Sequence, residues 1–151
     1  MVDILHRVAV RSTSPDDVYA ALATLDGLAG WWTEDTTGDV APGGVIRFRF
    51  ETPTGSDGFD MLVKEAAPGL RVLWEVVDGP AEWIGTHVGF DLRQADGWTE
   101  VLFRHQGWAE PVEFMHHCST KWAVFLMSLK ELVETGTGRP APRDVKIDNW
   151  N

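Results

Sequence analysis

His116-His117-Cys118 is the densest group of reactive side chains in the sequence, and metal binding is the first chemistry it suggests. Successive helical residues point about 100° apart, so three consecutive side chains cannot converge on one ion. No histidine pair has the i, i+4 spacing of a His-Glu-x-x-His site. The single cysteine, Cys118, excludes an intramolecular disulfide and a cysteine-only zinc site. No metal or other cofactor is therefore expected. A nucleophilic Cys118 would need a depressed pKa and a nearby base; a small buried hydrophobe is the commoner use of such a residue. His105 lies in phase with Val101 and Phe103 on one face of a strand. It is either a satisfied core or rim histidine or a group that orients a ligand by hydrogen bonding, with acid–base chemistry a further option. No Ser-His-Asp order, phosphate-cradling glycine loop or paired-carboxylate signature stands out, so no catalytic residue is assigned.

The other unusual feature is the presence of eight tryptophans among 151 residues. Each can bury roughly 150–250 Å². Some must therefore sit in a core or line a pocket whose walls need large, rigid, apolar groups. Trp74, Trp122 and Phe125 are candidates for such walls, although plain core packing suits them equally. Phe90 and Phe103 share the inward phase of their strands, and Cys118 shares the helical stripe of Trp122. Trp83 and Trp108 lie near strand ends and are candidates for an entrance rim. These side chains, with His105 included and Trp108 excepted, are the candidate ligand contacts.

The elements that must position them follow from periodicity. Residues 3–11 alternate as a strand, with Ile4, His6, Val8 and Val10 on one face. In Ser12-Thr13-Ser14-Pro15-Asp16-Asp17, Ser14 suits an N-cap and Pro15 a first helical turn, and two acids favour the positive helix end. A short helix follows, and a second short helical turn runs toward Trp31 and Trp32. Strand-like runs are expected at 45–51, 59–66, 70–77, 83–93 and 98–106. Their connections, such as Ala67-Pro68-Gly69 and Ala95-Asp96-Gly97, are too short for parallel crossovers, so the neighbours are antiparallel. From Pro111 to about Thr135, apolar residues recur at three- and four-residue spacing, and Gly136 is a natural C-cap. At ~1.5 Å rise per residue such a helix crosses a whole sheet. The class is α+β: a curved six- to seven-stranded antiparallel sheet with a long C-terminal helix across its concave side. Residues 1–151 are expected to form a single domain, with 137–151 as a tail pinned by Val145, Ile147 and Trp150.

This order resembles the helix-grip fold of the SRPBCC (START and birch-pollen-allergen) superfamily. It is similar in particular to bacterial homologues of the C-terminal domain of the heat-shock ATPase activator. The segments that carry the likeness are Ser14-Pro15-Asp16-Asp17-Val18-Tyr19-Ala20-Ala21-Leu22, Trp31-Trp32, Gly43-Gly44-Val45-Ile46-Arg47-Phe48, Leu73-Trp74, Thr99 to His105, and Trp122 to Lys130 with Glu134-Thr135-Gly136. The resemblance implies hydrophobic-ligand binding in a cavity between sheet and helix, or in some members cyclase, hydrolase or co-chaperone activity. It carries no universal catalytic motif, so it informs fold more than function.

Charge narrows the partners. The net charge is −10, which disfavours a nucleic-acid footprint and anionic membrane surfaces. No apolar run approaches the length of a membrane span, and the N-terminus lacks the basic-then-apolar order of a secretory signal, so a cytoplasmic protein is expected. The expected function is binding of a small hydrophobic or aromatic molecule by a monomer or homodimer. The alternatives are a hydrolase or cyclase acting on such a ligand, or a chaperone-ATPase-activator-like interaction protein.

Overall fold

The computed structural model describes residues 1–12 and 14–151. Thr13 of the expected capping segment lies outside the described residues. Strand β1 (Val2–Arg11) is followed by helices α1 (Pro15–Ala23) and α2 (Leu25–Trp31). Strands β2 (Asp35–Gly38), β3 (Val45–Thr52), β4 (Gly55–Ala67), β5 (Arg71–Asp78), β6 (His87–Ala95) and β7 (Trp98–Trp108) come next. Helix α3 (Glu113–Thr135) ends the regular elements. The strands form one seven-stranded sheet in the order β1-β7-β6-β5-β4-β3-β2, and every pairing is antiparallel. This is the helix-grip α+β fold.

Local chemistry sets the boundaries. The Ser14 side chain accepts the Asp16 amide, and Pro15 opens α1. Thr24 caps α2 through the Gly27 amide at 3.0 Å. The β6–β7 hairpin closes on Asp96-Gly97, with φ of 50° and 81°, the left-handed pair that a two-residue primed turn requires. Gly136, at φ 89°, terminates α3 and donates its amide to Leu132. Register shifts within β4, between Asp60 and Met61 and between Val63 and Glu65, bend that strand and deepen the curl of the sheet.

Three boundaries differ from expectation. Strand β2 is additional; Asp35-Thr36-Thr37-Gly38 is a short polar edge strand with no alternation to reveal it. Strand β4 begins at Gly55, because Thr52 pairs with Gly55 across a two-residue turn. Strand β6 begins at His87, because residues 83–85 form a turn in which the Trp83 amide bonds Pro80 O at 2.9 Å.

The concave face buries Val72, Trp74, Val76, Val88, Phe90, Val101, Phe103 and His105. Helix α3 lays Cys118, Trp122, Phe125, Leu126 and Leu129 against it. The helix also closes the free edge of β1. Lys130 Nζ donates to Ala9 O at 2.6 Å, the Arg11 amide donates to Glu134 Oε2 at 2.8 Å, and His6 Nε2 lies 3.0 Å from Ser119 O. Two backbone groups of that edge, Ala9 O and the Arg11 amide, thereby gain partners.

The tail returns across the body. The Ala141 amide bonds Trp32 O at 2.8 Å, and the Glu34 amide bonds Ala141 O at 3.1 Å. The buried Ser128 hydroxyl accepts the Arg139 amide at 2.7 Å. Of the residues expected to pin the tail, Ile147 is half-buried, while Val145 and Trp150 are about half exposed, with Trp150 meeting the His117 and Phe114 rings; backbone pairing and polar side chains add to their hold. At Gly138 a Cβ would stand 2.4 Å from Gly30 O and 3.0 Å from Ser128 O. Gly138→Ala is expected to lower stability by about 1–3 kcal/mol in denaturant melts, through steric conflict with backbone that cannot yield. A melt identical to wild type would contradict this close crossing.

Candidate functional site

The interior between sheet and helix is filled largely by aromatic rings. Trp32 packs on Phe48 (4.2 Å between centroids), Trp122 (5.0 Å) and Trp74 (6.1 Å). Phe103 meets Trp122 at 4.7 Å and Phe90 at 5.3 Å. Pairs at such distances contribute about 0.5–1.5 kcal/mol each beyond the area they bury.

At one end the filling stops. A pocket of about 650 Å³ opens there between the β3–β4 hairpin, the β5–β6 connection, the first half of α3 and the C-terminal tail. Its aromatic lining includes Trp32, Phe50, Phe59, Trp83, Trp122 and Phe125, with Phe114 and Trp150 nearer the tail. Trp83 is stacked nearly parallel to Phe59, at 4.0 Å and 11°, and to Trp122, at 5.9 Å and 17°. The rings stack on one another where they line the pocket, with Trp83 and Trp122 almost fully buried. The mouth is polar: Lys121 and His117 come from α3, and Asp144, Lys146 and Asp148 from the tail.

Of the expected ligand contacts, Trp83, Cys118, Trp122 and Phe125 border this pocket. Trp74, Phe90, Phe103 and His105 do not; they are fully buried behind the wall, where neighbouring rings cover them. Trp108, expected near a rim, is likewise buried away from it. Trp32, Phe50, Phe59 and Lys121 are pocket residues that the sequence reading did not single out for this purpose. A signal for Lys121 existed: it falls three residues after Cys118 and four before Phe125, a charge on the apolar stripe.

His105 is the polar centre of the interior. Trp122 Nε1 donates to its Nδ1 at 3.1 Å. An indole N–H can only donate, so Nδ1 carries no proton. The Thr86 hydroxyl donates to Trp83 O at 2.5 Å, and its oxygen lies 2.8 Å from His105 Nε2. Nε2 is therefore the protonated nitrogen, and the chain runs Trp122 to His105 to Thr86 to Trp83. Burial holds the His105 pKa down from 6.5 to about 3. Both nitrogens are occupied and the ring is neutral, so His105 fixes the α3–sheet contact and is not placed to shuttle protons. Burial also pushes the Cys118 thiol up to about 12; the Trp83 indole opposes the rise and Glu82 adds to it. A thiol so placed is not a nucleophile at neutral pH.

The linkage has a definite sign. In the unfolded chain a histidine protonates near 6.5, whereas folded His105 resists to about 3. Below the upper value the unfolded state binds a proton that the folded state refuses. Stability is then complete above the upper value and declines as pH falls toward the lower, at a limiting slope of about 1.4 kcal/mol per pH unit. His105→Gln is expected to flatten this slope in urea melts over about pH 4.5–6.5. An equally steep decline in that variant would place the titration elsewhere.

Residues 12–134 match the family of Activator of Hsp90 ATPase homolog 1-like proteins. The chain is similar to a solved structure described as the Aha1 dimer from Colwellia psychrerythraea: identity is 41%, TM-score 0.79, with 91% of this chain and 100% of that one covered. It also matches DynU16, a putative protein in the dynemicin biosynthetic locus, at 22% identity and TM-score 0.72, over 90% of this chain and 48% of that one. CalU16 from Micromonospora echinospora matches at 16% identity and TM-score 0.72, over 93% and 77% of the respective chains. At these lower identities the likeness concerns the fold. A comparison with curated proteins finds no match. Among the described residues no helix is long and apolar enough to cross a membrane. By the span of the match and the identity to the Colwellia protein, the chain belongs to the family of Activator of Hsp90 ATPase homolog 1-like proteins.

Proposed function

We propose that residues 1–151 act as one binding domain for a small, flat, largely apolar molecule held in the pocket at the open end of the helix grip. One observation carries this reading: an open volume of about 650 Å³ against parallel Trp83, Phe59 and Trp122 planes. Small-molecule sites usually fall at about 300–1,000 Å³ and combine apolar walls with a few polar groups. Those polar groups stand here at the mouth. Binding is favoured over catalysis because His105 is buried, neutral and doubly hydrogen-bonded, and the Cys118 thiol is protonated. A hydrolase or cyclase would need other groups.

A second reading, contact with a chaperone ATPase, is supported by family membership alone. Stoichiometric recovery of a chaperone with the purified protein would favour it. The similar Colwellia protein is a dimer, which supports a homodimer here as well; sedimentation equilibrium distinguishes this from a monomer.

The test of the binding reading is titration with N-phenyl-1-naphthylamine, an uncharged flat fluorophore. Saturable binding is expected. Phe50→Asp, on the half-buried wall, should weaken it at least about tenfold by placing a charge against the ligand. Leu5→Asp, on the exposed face of β1, should leave it unchanged. Absence of saturable binding, or equal loss in both variants, would reject the assigned pocket.

A further inference from the structure

The tail between Asp144 and Asn151 buries a carboxylate more completely than its apolar groups. The Asp144 side chain is 1% exposed, while Val145 and Trp150 are 49% and 52% exposed. A segment retained only for packing gains most by burying its apolar groups, since a buried ion pair repays little of its desolvation. Here the charge is buried, Ile147 is half-buried, and Trp150 keeps half its surface exposed while lining the pocket beside Phe114 and His117.

Its partner is Lys121, whose side chain is 11% exposed and whose ammonium borders the aromatic pocket. An ammonium has three hydrogens to donate. They go to the Asp144 carboxylate, to Val145 O at 2.8 Å and to Asn151 Oδ1 at 2.6 Å, all in the tail. Nζ also stands 5.0 Å from the Phe125 ring centroid. Lys146 Nζ supplies a second hydrogen bond to Asp144, at 3.1 Å. Burial pulls the Asp144 carboxyl upward, but hydrogen bonds from Lys121 and then Lys146 outweigh it and keep the group ionised below its ordinary value of 3.8.

The two halves of the tail are attached differently. Residues 138–141 are sewn to the body through Gly138, Arg139 and Ala141. Beyond them, the backbone amides of Ile147 and Asn151 bond only within the segment, to Asn151 O and Asp148 O. This second half is held by side chains of α3: Lys121, and His117, whose Nδ1 lies 2.7 Å from Asp148 Oδ2 and whose ring meets Trp150 at 5.4 Å.

We propose that Lys121 is the specificity-determining residue of the pocket, receiving the anionic end of a flat apolar ligand, and that Asp144 occupies that place until such a ligand displaces the 144–151 segment. The inference rests on the pocket proposed above. With the segment displaced, Lys121 is a cation beside an aromatic wall and needs a counter-ion. The anionic end lies on the α3 side, away from Glu51 and Asp57 of the opposite hairpin. The overall charge of −10 makes such a local cation the means by which this chain accepts an acidic ligand.

Two fluorophores with the same aromatic body test it: 1-anilinonaphthalene-8-sulfonate, which is anionic, and N-phenyl-1-naphthylamine, which is not. Asp144→Asn should tighten the sulfonate about tenfold, and Lys121→Met should remove any preference for it while retaining the uncharged probe. In the wild type the sulfonate should also speed hydrogen exchange of the Ile147 amide. Near-UV circular dichroism, dominated by the tryptophans, verifies that each variant is folded. If the uncharged probe binds but both substitutions affect the two probes alike, the role of Lys121 is overturned and the pocket stands. If neither probe binds any variant, the pocket reading fails and the inference falls with it.

Discussion

The indole N–H of Trp122, carried on α3, donates to the His105 ring of the sheet, whereas the buried indole N–H groups of Trp83 and Trp108 have no such partner. That bond ties the long helix to the sheet. A buried donor left without a partner costs about 1–3 kcal/mol, so the helix is fixed in rotation where Trp122 meets Nδ1. The same ring, through Nε2, holds Thr86, and Thr86 holds the turn that carries Trp83. Three elements distant in sequence are therefore tied by one neutral imidazole. An ammonium in its place could only donate and an ionised carboxylate could only accept.

This tie explains why the hollow is at the end of the fold and not in its middle. Tryptophan and phenylalanine side chains occupy the space beneath the helix, with Trp32, Trp74, Phe90 and Phe103 fully or almost fully buried. The filling runs out where the β3–β4 hairpin and the Trp83 turn diverge from α3, and the C-terminal segment crosses that gap. Pocket and core share walls: Trp83 and Trp122 line the pocket and are also almost fully buried members of the core. Binding and stability are coupled through those two rings, so substitutions at the outer wall, such as Phe50, separate the two effects better than Trp122 does.

Much of this was legible in the residues. Alternation in Val72-Leu73-Trp74-Glu75-Val76 and in Val101-Leu102-Phe103-Arg104-His105 assigns the inward faces, and the Cys118, Trp122, Phe125, Leu129 stripe assigns the buried side of α3. Strand β2 escaped because four polar residues on a sheet edge carry no period-two signal. The site was half legible. Inward phase separates Trp74 and Phe90 from solvent, but it says nothing of whether a ring meets another ring or an opening. Phe50 and Phe59 face the pocket only because β3 and β4 pair in one register and bend together. The pairing of Lys121 with Asp144 spans an irregular segment, and irregular chain has no periodicity from which a partner can be inferred.

The eight tryptophans supply eight indole reporters distributed through the core, the pocket and the outer surface. Assigned ¹⁵N–¹H indole resonances, followed while N-phenyl-1-naphthylamine is added, test most directly whether the open end of the grip is the place of binding. The pocket account predicts progressive shifts for Trp32, Trp83, Trp122 and Trp150 with little change at Trp98, which lies against Arg11 and Lys130 at the far end of β7. Shifts concentrated at Trp98, or spread evenly over all the indoles, would contradict it.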